Sequence, residues 1–249
     1  MNNLRVPMAP IGICRLCEEA GELRDSHILP RAAHLRTKAG SINVLIKSRE
    51  KVRLNNQSDF KEYLLCQKCE QSLSQVEKAA MDACKAAWFS RTEPYYQVPP
   101  ASVQALVRFA YSVFWRSSVA KCVERYALGE ELENELRDAF HNQIIPDLPR
   151  LSLSLSFLKI LDMPLTDRVL FTPMIASLAG QSQAHYFSIF GLIFRLNVPD
   201  TVVELADEYF LRFHDSSGRI YPLQLWEQHM LDAELTYATV IAKRNRDYS

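Results

Sequence analysis

The sequence predicts an α+β protein in two parts: a small metal-stapled module followed by a larger domain of helices and sheet. Three observations carry this reading. Two Cys-x-x-Cys pairs, Cys14/Cys17 and Cys66/Cys69, lie near the N-terminus. Apolar residues recur at helical spacing over residues 69–89, 101–128 and 130–143. Leu151, Leu153, Leu155 and Phe157 alternate with Ser152, Ser154 and Ser156, the period of a half-buried strand.

Composition sets the limits. A chain of 249 residues, 48% hydrophobic and 23% charged, is long enough and apolar enough to bury a sizeable core. Lys+Arg and Asp+Glu both total 29, so net charge gives no general attraction for nucleic acid, and a local basic patch would have to supply one. Four of six cysteines stand in Cys-x-x-Cys pairs in a sequence with no signal peptide, which points to metal rather than disulfides and to a cytoplasmic protein. Residues 187–196 are apolar but too short to span a bilayer, and Arg195 interrupts them, so no membrane partner is expected.

The elements follow in order. Residues 1–13, with two prolines and a glycine, read as an irregular lead-in. Residues 22–29 are extended and stopped by Pro30. Residues 42–47 have the β-branched content of a strand, and 51–54 can pair with it as a hairpin. The second Cys pair opens a helix over 69–89. Residues 92–100, with three prolines, form the boundary between a module at 1–92 and a domain at 101–249. In the second part, 101–128 reads as one long helix stopped by Gly129, and 130–143 as a second, with Leu132, Leu136, Ala139 and Phe140 inward. Strands are expected at 151–157, 168–172 and 184–198, the last apolar on both faces at its centre and so internal to a sheet. Residues 209–214 and 219–221 flank a turn, and 223–243 closes the chain as a helix.

The strongest chemical signal is the cysteine quartet. Two intervening residues let both sulfurs of a pair converge from one tight turn, and two such pairs make the closed tetrahedral ligand set of structural Zn²⁺. A loop knuckle supplying Cys14 and Cys17, and a helix start supplying Cys66 and Cys69, is the layout of a treble clef. Cys84 and Cys122 fall on helix faces and read as small core residues.

Cys14xxCys17, then Ser26-His27-Ile28-Leu29-Pro30, then Leu65-Cys66xxCys69 resembles the zinc-stapled HNH endonucleases of the ββα-metal superfamily, over about residues 12–90. The resemblance implies a nuclease that hydrolyses phosphodiester bonds of DNA. His27 matches the position of the general base that activates water, and one divalent cation, usually Mg²⁺, stabilises the leaving oxygen. It also implies an effector held by a protein partner or a homo-oligomer, as in bacterial antiviral defence or mobile-element systems.

The pattern departs from the family at the cation ligands. Ser26 stands where Asp or His usually precedes the base, with Asp25 one place back, on the opposite sheet face unless a bulge intervenes. Residues 59–63 lack the usual Asn, Glu70 replaces the Asn after the second knuckle, and Leu73 takes the later Lys or His position. Glu77 or His34 is left to supply the missing ligand.

The competing reading is a catalytically silent zinc-binding module that contacts nucleic acid or protein, with His27 buried as a structural tie. Arg15, Arg24, Arg31, Arg36, Lys38, Lys47, Arg49, Lys51 and Arg53 make this part locally basic, which suits phosphate contacts or simply a solvated surface. His141, His185, His214 and His229 are scattered singly, and there is no Walker loop, nucleophile elbow or dinucleotide fingerprint.

Overall fold

The computed structural model describes residues 9–38, 44–48, 51–54, 60–89, 96–123, 126–144, 152–157, 169–178, 182–197 and 219–222. These form a mixed fold of helix and largely antiparallel sheet. The N-terminal part is built on a three-stranded antiparallel sheet of order β1 (Ile11–Ile13), β2 (Ala20–His27), β5 (Lys61–Cys66). The strand at β1 was not expected from a segment that carries Pro and Gly. Gly12 packs closely there: a Cβ would lie 2.7 Å from Leu23 Cδ1, so a larger residue would make that side chain shift.

From β5 the chain runs directly into helix α2 (Gln67–Phe89), and α1 (Arg31–Lys38) follows the turn at Pro30. The hairpin of β3 (Val44–Ser48) and β4 (Lys51–Leu54) forms as expected. It does not extend the small sheet. It joins an eight-stranded sheet of order β4-β3-β8-β9-β10-β7-β11-β6, in which β3 runs parallel to β8 and β11 parallel to β7. The remaining strands are β6 (Tyr96–Gln97), β7 (Ser152–Phe157), β8 (Val169–Leu178), β9 (Ser182–Ile189), β10 (Leu192–Asn197) and β11 (Arg219–Pro222).

Two expectations are corrected here. The apolar run at 184–198 is not one strand but the hairpin β9–β10, with Leu192 opposite Ile189. Phe190 (φ +53°) and Gly191 (φ +74°) turn the chain through two left-handed residues, the backbone of a tight hairpin. Phe190 lacks the small or polar side chain that signals such a turn. The helix read over 101–128 is α3 (Pro100–Val119), which ends where Ala120 becomes extended (ψ 133°). The returning chain is pinned to its end: Leu128 N–H donates to Ser118 Oγ at 2.6 Å, and Ser118 in turn donates to Glu133. Gly129 (φ +89°) therefore starts α4 (Glu130–His141) rather than stopping α3. Residues 209–214 and 223–243 lie outside the described residues.

The core lies between α3 and the large sheet. Phe187 and Phe194 stack at 4.5 Å on β9 and β10, Phe109 meets both edge-on, and Phe114 meets Phe187 at 5.0 Å. On its other sides α3 meets α4 through Trp115 and Phe140, and α2 through a buried ion pair. Among the described residues, no helix is long and apolar enough to cross a membrane.

Candidate metal centre and active site

The four paired cysteines converge, with all their Sγ atoms within 4.8 Å of one another. Local backbone geometry explains why. The turn after β1 closes by Glu18 N–H to Cys14 O (2.9 Å) and Cys14 N–H to Glu19 O (3.0 Å), with Glu18 at φ +59°. Arg15 N–H donates to Leu64 O at 2.9 Å and docks that turn on β5. The other two thiols come from Cys66, the last residue of β5, and Cys69, in the first turn of α2.

The donor set fits a metal ion such as zinc. A regular tetrahedron with Zn–S bonds near 2.3 Å has S···S edges of about 3.8 Å, and Cys17 Sγ lies 3.9 Å from Cys66 Sγ. The electrostatics agree. Burial raises the Cys14 thiol, but backbone N–H groups of Cys17, Cys66 and Leu16 outweigh it and leave its pKa below the ordinary value. Burial, with the neighbouring sulfurs, pushes Cys69 far above it, and Cys17 is also raised by burial. Four thiolates this close repel one another, and a divalent cation at their centre removes that penalty.

His27 ends β2, the strand paired with β5, whose last residue is Cys66. Its ring centroid is 6.1 Å from that of His34, buried in the first turn of α1, with the planes tilted by 46°. Ser26 beside it is fully buried and donates its hydroxyl to Glu70 Oε2 at 2.7 Å, across from β2 to α2. The structure thus joins two positions that the sequence marks only as departures from the family pattern.

The other acidic candidates are placed differently. A bulge does occur, between Arg24 and Asp25, where Leu64 is the extra residue on β5. It lies one step too early to bring Asp25 onto the face of Ser26, so Asp25 is exposed and pairs with Lys61 at 3.4 Å. Glu77, two helical turns along α2 from Glu70, forms an ion pair with Arg116 of α3.

Arg116 is the residue that sequence reading missed. Only 1% of its side chain is exposed, and its three nitrogens go to three elements. Nη1 donates to His27 O at 2.8 Å, Nη2 to Glu77 Oε1, and Nε to Ser112 O at 3.3 Å. A second tie runs from Cys122 N–H to Glu62 Oε2 at 2.9 Å, joining the segment after α3 to β5. The signal in the sequence is an Arg that follows the apolar run 109–115 of α3, and that does not identify its partners.

Of the basic residues noted in the sequence, Arg15 and Arg31 are exposed, and Arg24 pairs with Glu22 at 3.1 Å. The side chains of Arg36, Lys38, Lys47, Arg49, Lys51 and Arg53 lie outside the described residues. No family model matches the chain, and neither does any curated protein or solved structure.

Proposed function

We propose that the protein is a metal-dependent nuclease of HNH type that hydrolyses phosphodiester bonds of DNA, on a treble-clef module stapled by zinc at Cys14, Cys17, Cys66 and Cys69. The observation that carries this is the approach of Glu70 to Ser26, next to His27, across the junction of β2 and α2. It brings a carboxylate to the residue next to His27 on β2, and a hard cation together with an imidazole base is what hydrolysis of a phosphodiester needs.

Each residue has a role that its chemistry allows. The His27 imidazole accepts the proton of the attacking water, a task suited to a group that titrates near neutrality. The Glu70 carboxylate and the Ser26 hydroxyl offer oxygen donors, and one carboxylate with substrate oxygens and water is an ordinary way to hold Mg²⁺. A divalent ion bound there supplies charge neutralisation at the phosphate and the leaving oxygen. Asp25 stands on the outer face with Lys61, and Glu77 is committed to Arg116, so the acidic role falls to Glu70 rather than to either of them.

A second reading has one observation of its own. The Arg116 contacts to His27 O and Glu77 also suit a silent binding module in which the His27 segment is purely a structural tie. The test is nicking of supercoiled plasmid with Mg²⁺, Mn²⁺ or Ni²⁺ by wild type, His27→Ala and Glu70→Gln, all matched for zinc content. Nicking lost in both variants with zinc retained supports the nuclease. Equal nicking in wild type and His27→Ala removes His27 from the role, and silence of all three with zinc retained favours the second reading.

A further inference from the structure

We infer that Arg116 is a positioning residue for His27, so that the chemistry at the end of β2 depends on α3 being seated against it. The kinetic part of this inference rests on the nuclease reading, while the positional part does not. A guanidinium removed from water loses its hydration, a cost recovered only when good acceptors meet its donors. Here the acceptors belong to three different elements: Ser112 O on α3 itself, Glu77 on α2 and the His27 carbonyl on β2.

The rigid fork of Arg holds the last two in one fixed relation, which the mobile ammonium of Lys does not. The carbonyl it grips is that of the residue bearing the imidazole, so the grip fixes the backbone from which that ring projects. The hydrogen bonds of Arg116 go to Ser112, His27 and Glu77, and the turn and helix start that carry the four cysteines are held by bonds of their own. The zinc site and the setting of His27 are therefore separable. α3 is also the helix that covers the large sheet, through Phe109 and Phe114. Any partner or ligand that shifts α3 on that sheet changes the setting of His27 through one side chain.

The experiment compares wild type with Arg116→Met and Arg116→Lys. Zinc content and thermal melting are checked first. The ¹³Cε1–¹H signal of His27 is then recorded, assigned by its loss in His27→Gln. In Arg116→Met the signal moves and broadens while zinc stays at wild-type stoichiometry, and Arg116→Lys lies between the two. Plasmid nicking falls on the order of a hundredfold in kcat, with KM unchanged, as expected for a displaced reacting group. Arg116→Lys recovers part of that loss.

An unmoved His27 signal in folded, zinc-loaded Arg116→Met overturns the inference. So does nicking that falls while the signal stays in place. If wild type shows no nicking, the nuclease reading fails, and the signal alone still judges whether Arg116 sets His27. If Arg116→Met does not fold, Arg116→Lys carries the same comparison, and a wild-type His27 signal in it counts against the fork.

Discussion

Replacing Ser26 by Asp tests the cation position without relying on turnover. Ser26 is fully buried, and its hydroxyl donates to Glu70 at 2.7 Å. Ser26→Asp turns that donor into an acceptor facing an acceptor. The lost bond to a charged group is worth about 1.5–3 kcal/mol. Like charges about 4 Å apart add roughly 4 kcal/mol at an effective dielectric of 20, and the pair escapes much of this by keeping one proton between them.

A net loss of about 3–5 kcal/mol lowers the melting temperature by on the order of 10 °C in a domain of this size. If the position holds a divalent cation, the second carboxylate strengthens it. Mg²⁺ at a hundred times its dissociation constant then returns about 2.7 kcal/mol, more than half the loss. The assay is calorimetric melting of wild type, Ser26→Asp and Asp25→Asn, each with and without Mg²⁺. Only Ser26→Asp shows a large Mg²⁺-dependent recovery. A deficit in Ser26→Asp that Mg²⁺ leaves untouched refutes the assignment of a cation to Ser26 and Glu70.

Two further outcomes concern the cysteine cluster and His185. Zinc removal by a chelator under reducing conditions, or Cys69→Ser, opens the β1-β2-β5 sheet, because structural zinc contributes an apparent 10–16 kcal/mol, about as much as a whole domain's stability. Near-UV circular dichroism that survives complete zinc loss would rule this out. His185 is buried between Tyr126 and Phe114, its Nδ1 3.1 Å from the Tyr126 hydroxyl, and burial lowers its pKa from 6.5 to about 4. Between those values the unfolded chain binds the extra proton, so stability falls as pH drops through that window, by about 3 kcal/mol in all. His185→Gln flattens this slope in denaturant titrations at pH 7, 5.5 and 4.5, and an unchanged slope assigns the acid sensitivity elsewhere.

What could be read from the sequence divides by the range of the interaction. The cysteine quartet was legible because each pair is local: two residues between thiols fix a turn, and only the meeting of the two turns needs the fold. The helix at 67–89 and the Leu/Ser strand at 152–157 were legible for the same reason, since period alone separates their faces. The β9–β10 hairpin was missed because Phe190 occupies a left-handed position where sequence rules look for Gly, Asn or Asp, and the run 186–194 around it is mostly apolar with no polar turn signal. The end of α3 was missed because Ser118, Leu128 and Glu133 meet only after the chain has turned back. Glu70 was seen as a departure from a motif. Its link to Ser26 spans 44 residues of sequence and leaves no periodic trace.

Arg116 shows why a charge is the hardest residue to place from sequence. On an amphipathic helix it would mark the solvent side, but residues 109–117 of α3 are buried on every face, Ser112 and Ser117 included. A cation in such a place must be neutralised, and Glu77 does this at the interface of α2 and α3. That pairing has a consequence for the site. A carboxylate held by a buried guanidinium has its charge balanced and has little left to attract Mg²⁺. Glu70 accepts a hydrogen bond from the Ser26 hydroxyl instead. Two glutamates two turns apart on one helix thus have different partners: Glu77 is paired with Arg116 of α3, and Glu70 accepts from Ser26, the residue before His27.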